Sequence, residues 1–365
     1  MAKPGVEAPA FGVYVHIPFC ASRCDYCAFA TWTDRAHLIG DYLDAVVVEA
    51  GRELAASPDR DALWADSVFF GGGTPSLVPA AGLVDVLAAI PRHPDAEVTV
   101  ECNPDTVTAE LLETYRAGGV NRLSFGVQSM VDHVLVALGR THDVANVERA
   151  VTLARAAGFE SINLDLIYGG VGETLDDWRV TLERVIRLDI PHVSAYALTI
   201  EAGTPLAADP QRHPDDDDQA DKYLLAVELL GAAGLESYEI SNWARPGFTC
   251  RHNQLYWRQG DYVGLGCAAH SHRSGRRWWN VRTPDRYHEL VGAGRSPEGG
   301  FEELDAAARR IEGLQLALRT REGVPLGVLP DDDPALDGLV ETAGERQHLT
   351  VAGRLLANEV ALRLS

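Results

Sequence analysis

Three cysteines close together in the sequence are the residues best placed for metal or redox chemistry. Cys20, Cys24 and Cys27 lie four and three residues apart, so one short loop can carry three thiolates to one metal centre. Three thiolates on a [4Fe–4S] cube leave one iron open to a small molecule. A structural zinc ion normally takes four ligands, and the conceivable fourth, His16, lies within a predicted strand. The spacing therefore predicts an iron–sulfur cluster, with zinc as the alternative.

The cysteine loop follows the first of six predicted strands that alternate with helices. The sequence predicts these strands at 11–18, 66–71, 97–102, 122–127, 161–168 and 192–200. Strands that alternate with helices form a parallel sheet, and such a sheet can close fully or partly into a barrel. We therefore expect an α/β fold built on a partial, TIM-like (β/α)6 barrel.

Polar residues stand where several of these strands end. Gly71–Gly73 follows the second strand, Glu101 ends the third, Gln128 follows the fourth and Asp165 lies in the fifth. In parallel α/β barrels the chemistry collects at the carboxyl ends of the strands, and polar groups are costly as mere core residues. The glycine run by itself fits a tight turn as well as a close approach to a ligand. Together these positions predict a polar ligand across the mouth of the barrel.

The composition changes after about residue 245. The segment that follows is rich in aromatic and arginine residues, and helical periodicity returns at 304–319 and 348–364. The sequence therefore predicts a core domain at 1–245 and a smaller, helical C-terminal domain at 246–365.

Charge and hydropathy exclude several classes of protein. The chain has 53 acidic and 32 basic residues and a net charge of −21, the wrong sign for binding nucleic acid or anionic lipid. No apolar run approaches the roughly 20 residues of a membrane span, and the first ten residues contain no apolar segment of a secretory signal. We expect a cytoplasmic protein with no integral membrane segment and no nucleic-acid partner.

At this point the motifs resemble a known superfamily. Cys-x-x-x-Cys-x-x-Cys after a first strand, with GGGTPS at 71–76, resembles the radical S-adenosylmethionine (SAM) superfamily. The string YVHIPFC at 14–20 is similar to the branch that contains oxygen-independent coproporphyrinogen III oxidase. The resemblance covers essentially the whole chain and implies a radical SAM barrel with a winged-helix-like C-terminal domain.

The resemblance also implies site residues and cofactors. Cys20, Cys24 and Cys27 would ligate a [4Fe–4S] cluster, and SAM would chelate its open iron. The residues at SAM-contacting positions of the family are Tyr14, Tyr26, Gly72, Gly73, Thr74, Glu101, Gln128, Arg140 and Asp165. Carboxylates can accept hydrogen bonds from ammonium or ribose hydroxyl groups, and an arginine can pair with a carboxylate.

Two further features resemble the heme-chaperone (HemW) branch of that superfamily. The third cluster cysteine is followed by Ala28 and Phe29, where the oxidase has glycine and another cysteine. The string HNQLYW at 252–257 resembles a motif of the chaperone branch, which implies heme contact by His252, Asn253, Tyr256 and Trp257. A histidine can ligate heme iron, and aromatic rings can pack on a porphyrin. The resemblance implies heme binding, transfer to an acceptor hemoprotein and a homodimer.

Two alternatives stay open at the level of sequence. An oxygen-independent coproporphyrinogen III oxidase would need the same open iron and a tetrapyrrole site. A zinc-stabilised interaction protein would leave the polar strand ends unexplained. The sequence does not decide whether SAM is cleaved or whether His252 ligates iron directly, and it assigns no catalytic residue.

Overall fold

Six parallel strands, arranged in the order of the sequence, form the centre of the fold. The computed structural model describes residues 10–55, 63–140, 143–330 and 332–365. The six strands are β1 Phe11–Ile17, β2 Ala65–Gly72, β3 Arg92–Cys102, β4 Arg122–Gln128, β5 Ser161–Tyr168 and β6 His192–Ala197. They confirm the predicted α/β fold. The first nine residues, where the sequence predicts no secretory signal, lie outside the described ranges.

Helices follow the strands, as the alternating pattern predicts. Their bounds are α1 Ile39–Leu54, α2 Ala80–Ala88, α3 Ala109–Gly118, α4 Asp132–Ala137, α5 Val144–Ala156, α6 Leu175–Arg187 and α7 Asp216–Ala232. Local signals set several of these ends. The Thr108 side chain accepts a hydrogen bond from the backbone of Leu111 at the start of α3, and Gly119 ends that helix with a φ of 98°. Thr174 and Asp177 form a capping box on α6.

The strands are buried because helices cover the sheet. Val13, Val15 and Ile17 of β1 are completely buried, and Phe11, Gly12 and His16 are buried as well. Burial on both faces is typical of strands in a parallel sheet. This core fixes the strand ends, and the strand ends carry the predicted site residues.

The sheet continues beyond these six strands, and the sequence did not predict the strands that it contains after residue 260. A hairpin of β7 Glu236–Glu239 and β8 Asn242–Ala244 pairs with β6. On the other side β9 Asp261–Leu265 pairs parallel with β1, followed by the antiparallel strands β10 His270–Arg273, β11 Arg276–Asn280 and β12 Glu298–Glu303. In the described ranges the edge strands β12 and β7 do not pair with each other, so the barrel is open. The domain division at residue 245 remains a prediction.

The C-terminal part is helical, as predicted, and also contains a small sheet. Its elements are α8 Arg251–Trp257, α9 Pro284–Gly292, α10 Ala306–Leu318, α11 Val351–Leu355, α12 Ala357–Ala361, β13 Val324–Pro325, β14 Val340–Ala343 and β15 Arg346–Leu349. The last three strands form an antiparallel sheet of their own. Leu318, Val324 and Val360 are completely buried in a second hydrophobic core there. None of the helices in the described ranges is long and apolar enough to cross a lipid bilayer.

Candidate functional site

A cavity of about 880 Å³ lies at the carboxyl ends of the parallel strands. It brings together nearly all residues that the sequence predicts to hold the cluster and SAM. The predicted residues that line it are Cys20, Cys24, Cys27, Tyr26, Gly72, Gly73, Thr74, Glu101, Gln128, Arg140 and Asp165. The parallel sheet causes this convergence, because the carboxyl ends of its strands meet on one side.

The three cysteines reach this cavity as free thiols on one anchored loop. The backbone N–H of Cys20 donates to the Trp32 carbonyl over 3.1 Å, and the Trp32 N–H donates to the Pro18 carbonyl over 2.7 Å. Burial raises the pKa of Cys20 and of Cys27. Bound iron reverses that effect, because a coordinating thiol is deprotonated. Three soft sulfur ligands around one cavity suit a [4Fe–4S] cluster.

A single zinc ion suits the same loop poorly. The histidine available as a fourth ligand, His16, has both ring nitrogens occupied: Nε2 donates to the Ala30 carbonyl over 2.9 Å, and Nδ1 lies 3.1 Å from the Tyr14 hydroxyl. Zinc binds sulfur at about 2.3 Å and needs its ligands close together. Within the described ranges no three His, Cys, Asp or Glu side chains form such a group.

The glycine run lies against the base of the cysteine loop. Gly73 donates its backbone N–H to the Ile17 carbonyl over 2.7 Å, and Thr74 donates to the Phe19 carbonyl over 2.8 Å. Gly72 has a φ of 109°, and a Cβ there would lie 2.4 Å from the His16 ring. A Cβ on Gly73 would lie 2.7 Å from the Phe19 carbonyl oxygen. The glycines are therefore needed for close packing of two loops that share the cavity.

Two buried carboxyl groups face the cavity with raised pKa values. Burial and the nearby charge of Asp165 raise the pKa of Glu101 to about 8, although the Gly72 N–H donates to its Oε2 over 3.1 Å. Burial raises the pKa of Asp165, against hydrogen bonds from Ser124 at 2.7 Å and Asn163 at 2.8 Å. A bound cation or a set of hydroxyl donors would stabilise both carboxylates.

The end of β4 is strained where it reaches the cavity. Gln128 has a φ of 65°, in the left-handed region that few residues other than glycine adopt. The register with β5 shifts between Gly126 and Gln128. This backbone turns Gln128 into the cavity lining, and such strain is concentrated at functional sites.

Sequence reasoning missed a polar layer beneath Asp165. Asn163 donates from Nδ2 to the Ser124 hydroxyl over 2.7 Å and to the Ser194 hydroxyl over 3.0 Å. The His192 Nδ1 lies 2.6 Å from the Asn163 side-chain oxygen. All four side chains are almost completely buried. Asn163 and Asp165 are two residues apart in β5, so their side chains lie on the same face of the strand. This spacing was the sequence signal that could have revealed the polar layer.

Tyr14 is the one predicted SAM-contacting residue that does not line the large cavity. It lines a second cleft of about 360 Å³, together with His16 and the three residues that follow Cys27. The Ala30 carbonyl accepts a hydrogen bond from Nε2 of His16, so the ring proton is on that nitrogen. The other ring nitrogen of His16, Nδ1, therefore accepts a hydrogen bond from the Tyr14 hydroxyl. SAM contact by Tyr14 remains a prediction.

The structure separates the four residues predicted to contact heme. His252 is only 1% exposed, and its Nδ1 and Nε2 each lie 2.9 Å from a hydroxyl oxygen, of Ser67 and Tyr256 respectively. Neither nitrogen is available to an iron in this conformation. Tyr256 lines the second cleft, whereas Trp257 lines another cavity beside α10, and Asn253 lines neither. Heme contact by this set remains a prediction.

The sheet and the three-cysteine cavity define a radical SAM protein. Residues 14–185 match the model of the radical SAM superfamily. The solved structure of coproporphyrinogen III oxidase (HemN) from Escherichia coli superposes with a TM-score of 0.83, covering 97% of this chain and 89% of that one at 24% identity. This likeness shows a shared fold. The superfamily implies that the chain binds a [4Fe–4S] cluster and SAM.

Relatives place the chain within that superfamily. It is 42% identical to the heme chaperone HemW of Mycobacterium tuberculosis, over 97% of this chain and 94% of that protein. It is 33% identical to the heme chaperone HemW of Bacillus subtilis, over 95% of this chain and 97% of that protein. The chain belongs to the HemW family of radical SAM proteins.

Proposed function

We propose that this protein is a heme chaperone, which binds heme and transfers it to an acceptor hemoprotein. The observation that carries the proposal is the 42% identity to a heme chaperone over 97% of the chain. The structure supports it in one further respect. Ala28 and Phe29, the residues after Cys27 that resemble the chaperone branch, are exposed and line the large cavity.

In this proposal the large cavity holds the cluster and SAM. Cys20, Cys24 and Cys27 would ligate the cluster, which supplies one-electron redox chemistry when bound. The side chains around the cluster site include both hydrogen-bond donors and hydrogen-bond acceptors. Thr74 and Arg140 donate to cysteine sulfurs, while Glu101 and Asp165 are placed to accept from an ammonium or hydroxyl group.

Heme contact is proposed for the motif at 252–257, with different tasks for its members. Tyr256 would contact the macrocycle because it lines an open cleft. His252 would position Tyr256, since its Nε2 lies 2.9 Å from the Tyr256 hydroxyl. Asn253 and Trp257 do not line this cleft, so they would contact heme only from outside it. A cytoplasmic location and a homodimer complete the proposal, and size-exclusion chromatography tests the latter.

The test is a hemin titration of the anaerobically reconstituted protein, followed by mixing with an apo-hemoprotein. We expect stoichiometric binding with a defined Soret band, and appearance of the acceptor's holo spectrum without formation of 5′-deoxyadenosine. Failure to bind hemin would contradict the proposal. SAM-dependent decarboxylation of coproporphyrinogen III would instead support the oxidase alternative.

A further inference from the structure

We infer that the second cleft, lined by Phe29, Tyr256, Tyr262, His270 and Arg282, is the heme site, with His270 as the axial iron ligand and Arg282 as the partner of a heme propionate. This inference rests on the proposed function and gives it a location. The cleft measures about 360 Å³, within the usual range for ligand sites of about 300–1,000 Å³. A site of this size covers part of a porphyrin and leaves the rest accessible to an acceptor.

The lining of the cleft suits a flat, apolar ring. Three alanines line it, namely Ala28, Ala30 and Ala268. Phe29 also lines it, with 63% of its surface exposed. The rings of Tyr256 and Tyr262, two further lining residues, meet edge to face with centroids 4.7 Å apart. Aromatic rings and small side chains offer apolar area to a planar macrocycle.

Four histidines lie in this part of the molecule, and three of them have both ring nitrogens engaged. His16 and His252 are held as described above. The Nδ1 of His272 lies 2.9 Å from the Gly260 carbonyl oxygen, and its Nε2 accepts from the Gly275 N–H over 3.2 Å. These three are also buried, so none of them can reach an iron without breaking its contacts.

His270 differs from the other three in exposure and in partners. It is exposed on β10 and lines the cleft. Its ring stacks on Trp279 with centroids 5.7 Å apart, and among the described residues its ring nitrogens have no hydrogen-bond partner. Partial burial and the charge of Arg277 lower the pKa of His270, which favours the neutral imidazole whose lone pair can bind iron.

Arg282 supplies the charge that a propionate requires. It is exposed, and it is the only charged side chain among the residues that line the cleft in the described part of the chain. No described residue forms an ion pair with it. A free arginine beside an apolar cleft, on a chain with a net charge of −21, is suited to a bidentate pair with a carboxylate.

The cleft and the large cavity share one wall. Ala28 and Phe29 line both spaces, and the His16–Ala30 hydrogen bond fixes this segment to β1. Heme and SAM would therefore bind on opposite sides of the segment that follows Cys27. Both ligands could be bound at once.

The first experiment is a hemin titration of the reconstituted full-length protein with His270→Ala, His270→Met and the control His93→Ala. His93 is also exposed and also packs on a tryptophan, Trp64. We expect both His270 variants to shift the Soret band, since methionine is a different axial ligand, and His270→Ala to weaken hemin binding about tenfold. Spectra identical to wild type would overturn the inference and leave the proposed function standing. A wild-type protein that binds no hemin would overturn both.

The second experiment separates iron ligation from ring and carboxylate recognition. It uses metal-free protoporphyrin and its dimethyl ester as probes. We expect His270→Ala to leave protoporphyrin affinity within about twofold, and Arg282→Ala to weaken it about tenfold. The Arg282→Ala effect should vanish with the ester, and Arg187→Ala, an exposed arginine on α6, should change neither affinity. Equal affinities of wild type and Arg282→Ala for protoporphyrin would contradict the propionate contact.

Discussion

Arg140 donates a hydrogen bond from Nη1 to the sulfur of Cys24 over 3.5 Å. Its Nη2 donates to the Gly126 carbonyl oxygen over 2.8 Å. One guanidinium thus ties the cysteine loop to the end of β4, although 116 residues separate Arg140 from Cys24. A cation beside a sulfur stabilises the thiolate that iron requires.

We predict that Arg140→Ala weakens cluster retention. Loss of a hydrogen bond to a charged group costs about 1.5–3 kcal/mol, so the cluster absorbance should decay at least about tenfold faster on exposure to a chelator. Arg140→Lys keeps the charge but not the two-pronged contact, and should fall between wild type and Arg140→Ala. Equal decay in all three proteins would refute this role.

The three loop cysteines should differ from the buried ones in iron binding. We expect Cys24→Ala to abolish formation of a stable cluster on reconstitution, measured as iron and sulfide per chain. Cys250 is completely buried and lies outside the cavity, so Cys250→Ala should retain the wild-type content of about four irons. Zinc without sulfide in the wild-type protein would favour the interaction-protein alternative.

Gly72→Ala should destabilise the fold by more than an ordinary glycine substitution. At a left-handed position alanine costs about 1–2 kcal/mol, and at Gly72 the new Cβ also meets the His16 ring at 2.4 Å. Gly172 has a φ of 75° with nothing within 4 Å, so Gly172→Ala measures the backbone cost alone. Urea unfolding of the two cluster-free variants gives the comparison, and equal losses would refute the steric argument.

The buried carboxyl of Glu101 should make stability fall as pH rises. Its pKa is about 8 in the folded protein against an ordinary value of 4.5. Between these values the folded state keeps a proton that the unfolded state has released, so the free energy of unfolding decreases with increasing pH. In cluster-free protein, the stability of Glu101→Gln should fall less steeply with pH than that of wild type. A wild-type profile parallel to that of the variant would contradict the assignment.

The buried His252 should make stability fall as pH decreases, the opposite of the effect of Glu101. Burial, with a smaller effect of Arg122, lowers its pKa to about 3 from an ordinary 6.5. As pH falls from 6.5 to 3 the unfolded state gains a proton that the folded state does not accept, so the wild-type protein loses stability. His252→Gln should lose less over that range.

The same variant tests the role of His252 toward heme. At neutral pH His252→Gln should be less stable than wild type, because Ser67 and Tyr256 lose well-fitted partners. Its hemin complex should keep the wild-type Soret position. A shifted Soret band would show that His252 ligates iron after a rearrangement of the cleft.

The sequence alone determined the parallel core and most of the large site. Strand–helix alternation and glycine or threonine caps are local signals, and they predicted β1 to β6 closely. Residues at the ends of parallel strands must meet, so Cys20, Glu101 and Asp165 could be assigned to one cavity before any geometry was known.

Tertiary structure alone decided the strands beyond residue 260. They are short and pair at the sheet edges, with Ser274 and Gly275 in the left-handed region between β10 and β11. Their apolar periodicity is too brief to predict a strand. Their pairing with β1 nevertheless builds one side of the second cleft.

Tertiary structure also decided which histidine is available to a ligand. The string HNQLYW singles out His252, while His270 belongs to no recognisable motif. Whether a histidine can bind iron depends on its burial and on the partners of both ring nitrogens, and chain neighbours do not reveal either. Ser67 lies 185 residues from His252, and only the folded sheet brings the two together.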